Sequence, residues 1–149
     1  MKNIELHYQK LANMYLGARV NTEHFSSSQI KISDGQARIE LLADSEYHHA
    51  LKGMHGSVYF KMLDDAAFFA VSSVVTDYFV LTTSFNLNII RPFTTGKVYS
   101  IGKVRFKSRE LFTAESTLYT EKGKELAFGT GNFAKSKVAL KDVQGYWGK

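Results

Sequence analysis

The chain switches between two hydrophobic periods, and the order of the switches predicts its architecture. In residues 3–16, Ile4, Leu11, Met14 and Tyr15 recur at helix-like intervals before Gly17, a suitable C-terminal cap. This predicts a short N-terminal helix within 1–17, acting as a lid or a packing element. The extended runs QIKIS and QARIELL flank Ser33-Asp34-Gly35, and an Asp-Gly pair between such runs predicts a hairpin over 29–42. Residues 44–54, with Asp44, Ser45, His48, His49 and Gly53, have no period and read as a loop. From about 56 to 75, Ala, Phe, Met and Leu cover most of a helical circumference, the pattern of a helix enclosed by other structure. In FVLTTSFNLNII the period drops to two. Leu81, Thr83, Phe85, Leu87 and Ile89 share one face, Thr82, Ser84, Asn86 and Asn88 share the other, and Arg91-Pro92 ends the run. Three more strands are expected near 97–107, 111–120 and 124–135. The short turns at 108–110 and 121–123 enforce an antiparallel meander, and residues 137–149 read as an irregular tail. The sum is an α+β arrangement in which an antiparallel sheet wraps one long helix.

Composition narrows the function classes. A chain of 149 residues, 44% hydrophobic and 22% charged, is expected to form one domain over 1–149 with a proper core. The absence of cysteine removes disulfides, thiolate metal sites and cysteine nucleophiles together. Polar residues interrupt the opening MKNIELHYQKLANMY where a signal peptide needs an apolar core, and AAFFAVSSVV is too short to span a bilayer, so a cytoplasmic protein without membrane contact is expected. The net charge of +5 is scattered through 97–109 and 122–141 among apolar and acidic residues. That pattern lacks the basic stripe of a nucleic-acid binder and suits a small anionic ligand or a solvated basic surface.

Candidate chemistry concentrates in KGMHGSVYFKMLDDAAFFAV. Asp64 shares a helix face with Phe60, Ala67, Phe68 and Val71, where a carboxylate has no local compensation and its pKa should rise, as suits a general base or nucleophile. The alternative is a carboxylate that only hydrogen-bonds across an interface. Asp65 has Lys61 one turn earlier, and a surface ion pair suffices to explain it. Gly56 at the helix start leaves its N–H open to a ligand, an oxyanion-hole arrangement; an ordinary helix entrance with Ser57 as the N-cap is the other reading. His55 and Asp64 lie on opposite helix faces and about 13 Å apart along the axis, so joining them takes two antiparallel copies of the helix related by a twofold axis. His48, His49 and His55 match no helical metal-ligand spacing, and no metal is expected. Gly129-x-Gly131 lies within a strand pattern and is read as a bulge or a close approach.

The stretch HGSVYFKMLDDAAFFA, followed by a strand ending in Arg91-Pro92 and a meander, resembles the hotdog-fold acyl-CoA thioesterases of the phenylacetate-degradation type. The resemblance covers about residues 36–135. Its most specific part is His-Gly followed by Asp nine residues after the His. It implies a sheet wrapped around the central helix, a homodimer or a dimer of dimers, and acyl-CoA bound between subunits, with coenzyme A entering only as part of the substrate and no other cofactor. Carried over residue by residue, it makes Asp64 the nucleophile or general base, Gly56 the donor to the thioester carbonyl, His55 the holder of the loop or substrate, and Thr82 a water-orienting hydroxyl. Ser57 stands where the family has a second glycine, and His49 where it commonly has an asparagine. Ser57, His49, Asp65, Ser84, Phe68 and Arg105 are the expected substrate contacts, with Arg105 and Arg109 toward the CoA phosphates. Phe60, Phe68 and Phe69 suit an aryl or apolar acyl group or simply the core. A hotdog protein that binds acyl-CoA without hydrolysing it, as a regulator would, is the alternative, and a hydratase ranks third.

Overall fold

The computed structural model describes residues 2–147. The outermost positions of the expected N-terminal helix and tail, 1 and 148–149, lie outside that range. Helix α1 (Lys2–Gly17) forms as expected and seats Leu11, Met14 and Tyr15 in the core. The chain turns at Ala18 into a second helix, α2 (Arg19–His24), which the sequence did not announce; six residues are too few to display a helical period. The hairpin of β1 (Gln29–Ser33) and β2 (Gln36–Ala43) closes with Gly35 at φ +69°, the left-handed conformation that an Asp-Gly turn requires. Along β2, Ala37, Ile39, Leu41 and Ala43 are buried while the residues between them are not.

Helix α3 (Gly56–Ser73) is the centre of the molecule and contacts every strand of a six-stranded antiparallel sheet. The other strands are β3 (Tyr78–Ile89), β4 (Gly96–Lys107), β5 (Leu111–Thr120) and β6 (Glu125–Ala139). The order across the sheet is β1-β2-β4-β5-β6-β3, which leaves β3 as an edge. Small residues let α3 lie close against the middle strands. A Cβ on Gly102 would stand 2.1 Å from the Ala66 carbonyl oxygen, so only glycine fits there. The buried hydroxyls of Ser100 and Ser116 donate to the Met62 and Leu63 carbonyls, each at 2.7 Å, and these two bonds from neighbouring strands fix the rotation and axial position of α3. Gly129-x-Gly131 makes room for Phe85, whose ring lies 2.6 and 2.5 Å from where their Cβ atoms would stand. It is a close approach and not a phosphate loop.

Two expectations are corrected. The first concerns β3, where the alternation does not run through. The register against β6 slips between Thr82 and Ser84, so Thr83 is an extra residue whose hydroxyl donates to the Asn132 carbonyl at 3.1 Å. Before the bulge Val80 and Thr82 face α3; after it Phe85 and Leu87 do, while Leu81 is 51% exposed. The expected face of Leu81, Thr83 and Phe85 is therefore two half-faces. The second concerns the tail. Strand β6 continues to Ala139, a 3-10 turn follows at Leu140–Asp142, and Leu140 and Tyr146 are buried. Buried His7 holds this segment: its Nε2–H donates to the Ser72 carbonyl at 2.9 Å, so its Nδ1 accepts from the Tyr146 hydroxyl at 2.8 Å. Burial lowers the His7 pKa. No helix among the described residues is long and apolar enough to cross a membrane.

Candidate active site

Asp64 projects from the middle of α3 toward β3, with Phe60 one turn before it and Phe68 one turn after. Phe60 packs edge-on to Phe85 with ring centres 5.6 Å apart, and Phe68 packs against Phe69, Phe79 and Phe133, so the carboxylate sits in an aromatic wall. Among the described residues it makes no ion pair and takes one hydrogen bond, from Thr82 Oγ1 at 2.9 Å. The bulge makes that bond possible by turning Thr82 inward. Burial pushes the Asp64 carboxyl up to about 6; the Thr82 bond opposes the rise, nearby Asp65 adds to it, and Lys61 opposes it in turn.

Asp65, one residue on, lies in different surroundings. It pairs with Lys61 at 2.5 Å and accepts from the Tyr15 hydroxyl at 2.8 Å. The pair expected on the surface is mostly buried beneath α1, with side chains only 15% and 20% exposed. Burial, with the Asp65 carboxylate adding to it, drives the Tyr15 hydroxyl far above its usual pKa. These three groups are consumed by one another and leave Asp64 without a counter-charge.

The start of α3 is the second half of the arrangement. His55 and not Ser57 is the N-cap: its Nδ1 accepts from the Ser57 N–H at 3.0 Å and from the Ser57 hydroxyl at 2.7 Å, leaving Nε2–H pointing away. No acceptor among the described residues bonds the Gly56 N–H, which is the first donor of the helix. Beside it opens a hollow of about 370 Å³, lined by His49, Gly53, Met54, Gly56, Tyr59 and residues 89–93. His49 accepts from the Leu51 N–H through Nδ1, and its ring lies over Gly53. Tyr59 donates to the Arg91 carbonyl at 3.0 Å, and Arg91 donates to the Glu125 carbonyl at 2.7 Å. Arg91-Pro92 stands out in the sequence as a strand end, whereas Tyr59, Met54 and Phe93 carry no local signal there beyond being apolar.

The structure therefore groups the expected residues unevenly. Asp64, Thr82 and Phe68 come together, and His49, His55, Gly56 and Ser57 form a second cluster about 12 Å away along α3. Ser84 is turned to the other face of the sheet by the bulge, where it bonds Asn132 Nδ2 at 2.9 Å. Arg105 is exposed and paired with Glu115 at 3.6 Å, and Arg109 with Glu110 at 3.8 Å; neither reaches these clusters within the chain. Among the described residues no three His, Asp or Glu side chains converge as a metal site would require.

An antiparallel sheet wrapped around one long helix is the hotdog fold, and its solved examples superpose on this chain. The E. coli PaaI protein from the phenylacetic acid degradation operon matches with TM-score 0.81 at 15% identity, covering 91% of this chain and 96% of that one. The conserved protein PA5202 from Pseudomonas aeruginosa matches with TM-score 0.73 at 22% identity, over 83% and 97%. Zebra fish thioesterase superfamily member 2 matches with TM-score 0.76 at 14% identity, over 87% and 98%. The family model of the Thioesterase superfamily matches residues 51–127, over half of the chain, and the protein belongs to that superfamily. No curated protein matches it by sequence.

Proposed function

We propose that the protein is an acyl-CoA thioesterase that works as a homodimer, with Asp64 of one subunit and the Gly56 N–H of the other facing across each site. The carrying observation is the pairing of a desolvated carboxylate without a cation and an unbonded helix-start N–H, each useless to the other within one chain. The free edge of β3 supports the assembly. It runs twelve residues with its outer side unpaired, and Leu81 and Ile89 along it are about half exposed. Within the chain Gly56 lies against Ile89. A twofold axis near Phe85 would set the partner's Ile89, and Gly56 with it, opposite Thr82 and Asp64.

In this site Asp64, held by Thr82, takes a proton from water as the water oxygen adds to the thioester carbonyl. The negative charge moves to the carbonyl oxygen and is met by the Gly56 N–H and the positive end of α3. Collapse breaks the C–S bond, and the proton on Asp64 passes to the departing CoA thiolate. A carboxyl with a pKa of about 6 is matched to both transfers near neutral pH. His49 and His55 border the donor and would steer the thioester into it.

Complementation tests both the activity and the shared site. Asp64→Asn removes the base, and Gly56→Pro removes the N–H at the first helical position, which tolerates proline. His55, at ψ 141°, already has the extended backbone that a following proline demands. Each variant alone should lose most of its thiol release, Gly56→Pro by about a hundredfold. Mixed and reassorted, they should recover about a quarter of wild-type activity, because half the dimers carry one intact site. Failure to recover would reject the shared site. Near-normal hydrolysis by Asp64→Asn would reject the catalytic assignment, and the absence of thiol release from any acyl-CoA in wild type would favour the non-hydrolysing alternative.

A further inference from the structure

Three elements meet at the imidazole of His7, which is 4% exposed. It lies on α1, its Nε2–H donates to the Ser72 carbonyl in the last turn of α3 at 2.9 Å, and its Nδ1 accepts from the Tyr146 hydroxyl at 2.8 Å. The chain from Leu140 to Trp147 follows the end of β6 and pairs with no strand. Its later backbone bonds close on itself, from the Val143 N–H to the Leu140 carbonyl and from the Tyr146 N–H to the Val143 carbonyl, and the Trp147 indole N–H turns back to the Lys141 carbonyl. Among the described residues, the Tyr146 hydroxyl makes the one hydrogen bond from 143–147 to any residue before Leu140. Packing on α1 adds to it. Gly145 lies so close to Met14 that a Cβ there would stand 3.1 Å from the Met14 Cα, and Lys10, one turn after His7, rests its Nζ 3.5 Å from the centre of the Trp147 ring and 5.4 Å from that of Tyr146. The surroundings suit a neutral ring at His7. Facing it are Tyr8 and Lys10 on α1, the Tyr146 hydroxyl, and the Ser72 carbonyl of α3. Among the described residues no carboxylate pairs with it: Asp34, on the turn between β1 and β2, stands by Tyr8, and Asp77 is taken by Lys135 at 3.1 Å. Burial lowers the His7 pKa, the Ser72 carbonyl opposes that, and Lys10 adds to it. Charging the ring would also turn Nδ1 from an acceptor into a donor, so that it meets the proton of the Tyr146 hydroxyl.

We infer that residues 140–147 form an acid-released latch: protonation of His7 breaks its bond to Tyr146 and detaches the segment from α1, while α3 and the sheet stay folded. The segment yields because it has no strand pairing, whereas α3 is held along its length by the sheet. Its His7 binds a proton more weakly when the segment is docked than when it is released. Docking is therefore fully favoured above the usual histidine pKa of about 6.5 and weakens as pH falls through the lower, docked-state value. Release would take away the wall that Val143, Gln144 and Gly145 give to a hollow of about 910 Å³, whose other side holds Met14 and Phe79. The inference stands apart from the thioesterase reading and involves neither Asp64 nor the start of α3.

Trp147 is the single tryptophan of the chain and reports on the segment directly. Its fluorescence anisotropy and its quenching by acrylamide are followed on the full-length protein from pH ~8 to pH ~4.5, beside far-ultraviolet circular dichroism. In wild type the anisotropy should fall and the quenching rise with a midpoint below about pH 6.5, while the dichroism holds. His7→Gln keeps a donor and an acceptor but cannot titrate, so it should abolish the transition. The same variant separates His7 from Asp64, which titrates in a neighbouring range. Lys10→Gln removes the cation that opposes protonation and should move the midpoint to higher pH. A wild-type signal that stays flat, a transition that persists unchanged in His7→Gln, or a loss of dichroism at the same midpoint would overturn the inference. If His7→Gln fails to fold, the wild-type titration and Lys10→Gln still decide, and a midpoint that Lys10→Gln leaves in place or lowers would overturn it as well.

Discussion

Replacing Asp64 with asparagine should abolish hydrolysis and, at the same time, make the protein more stable above neutral pH. Asparagine keeps the shape of aspartate, and its Oδ1 can still accept from Thr82 Oγ1, so what changes is the charge. Burial raises the Asp64 carboxyl from 3.8 to about 6. A folded-state pKa above the unfolded one means that the native protein holds this proton more tightly. Its contribution to stability is then fully present below about pH 4 and is lost as pH rises through about 6. A shift of about two units corresponds to ~3 kcal/mol. The side chain still reaches solvent, and screening brings the expected penalty to roughly 1–2 kcal/mol. Removing it should raise the midpoint of thermal unfolding by about 3–6 °C at pH ~8 for a chain of this length. At pH ~4, where the wild-type carboxyl is mostly protonated when folded, the gain should shrink markedly. Thermal unfolding at the two pH values, run beside thiol release on the same samples, checks both halves. A variant that melts lower than wild type at the higher pH, or gains equally at both, would refute the account of a desolvated base held at a cost in stability.

The pH dependence of kcat/KM should rise through about 6 and then level, and Thr82→Val should move that rise to higher pH, because the hydroxyl's bond favours the ionised carboxyl; an unmoved profile would separate Thr82 from the base. Gly102→Ala should cost several kcal/mol or prevent folding, since a methyl 2.1 Å from the Ala66 carbonyl oxygen meets the rigid Ala66–Ala67 backbone of α3; denaturant unfolding measures it, and a cost under ~1 kcal/mol would mean that α3 can lift off the sheet. Leu81→Arg on the free edge of β3 should yield monomers in sedimentation and lose activity with them, whereas an active monomer would dismiss the shared site.

The order of elements was legible because each rests on a local rule. The amphipathic spacing of α1, the Asp-Gly turn at Gly35, the apolar girth of α3 and the two tight turns of the meander are all written within a few residues. The chemical singularity of Asp64 was also legible, as a carboxylate among phenylalanines. Where local reading failed, the deciding contact was distant. Nothing near Tyr146 announces its burial, because its partner His7 is 139 residues away. The face of Thr82 was misjudged because the bulge at Thr83 is set by pairing with Asn132 on β6.

What the sequence by itself determined is which residues could do chemistry and which secondary structure would carry them, since propensity, period and side-chain type act over short range. Only the tertiary structure decided that Thr82 meets Asp64 while Ser84 does not, that the Lys61–Asp65 pair is mostly buried, and that Asn21 lies buried with an unmet oxygen. The reason is physical. A carboxylate's proton affinity and an amide's unmet bond depend on what excludes water from them, and here those neighbours come from strands and helices far apart along the chain.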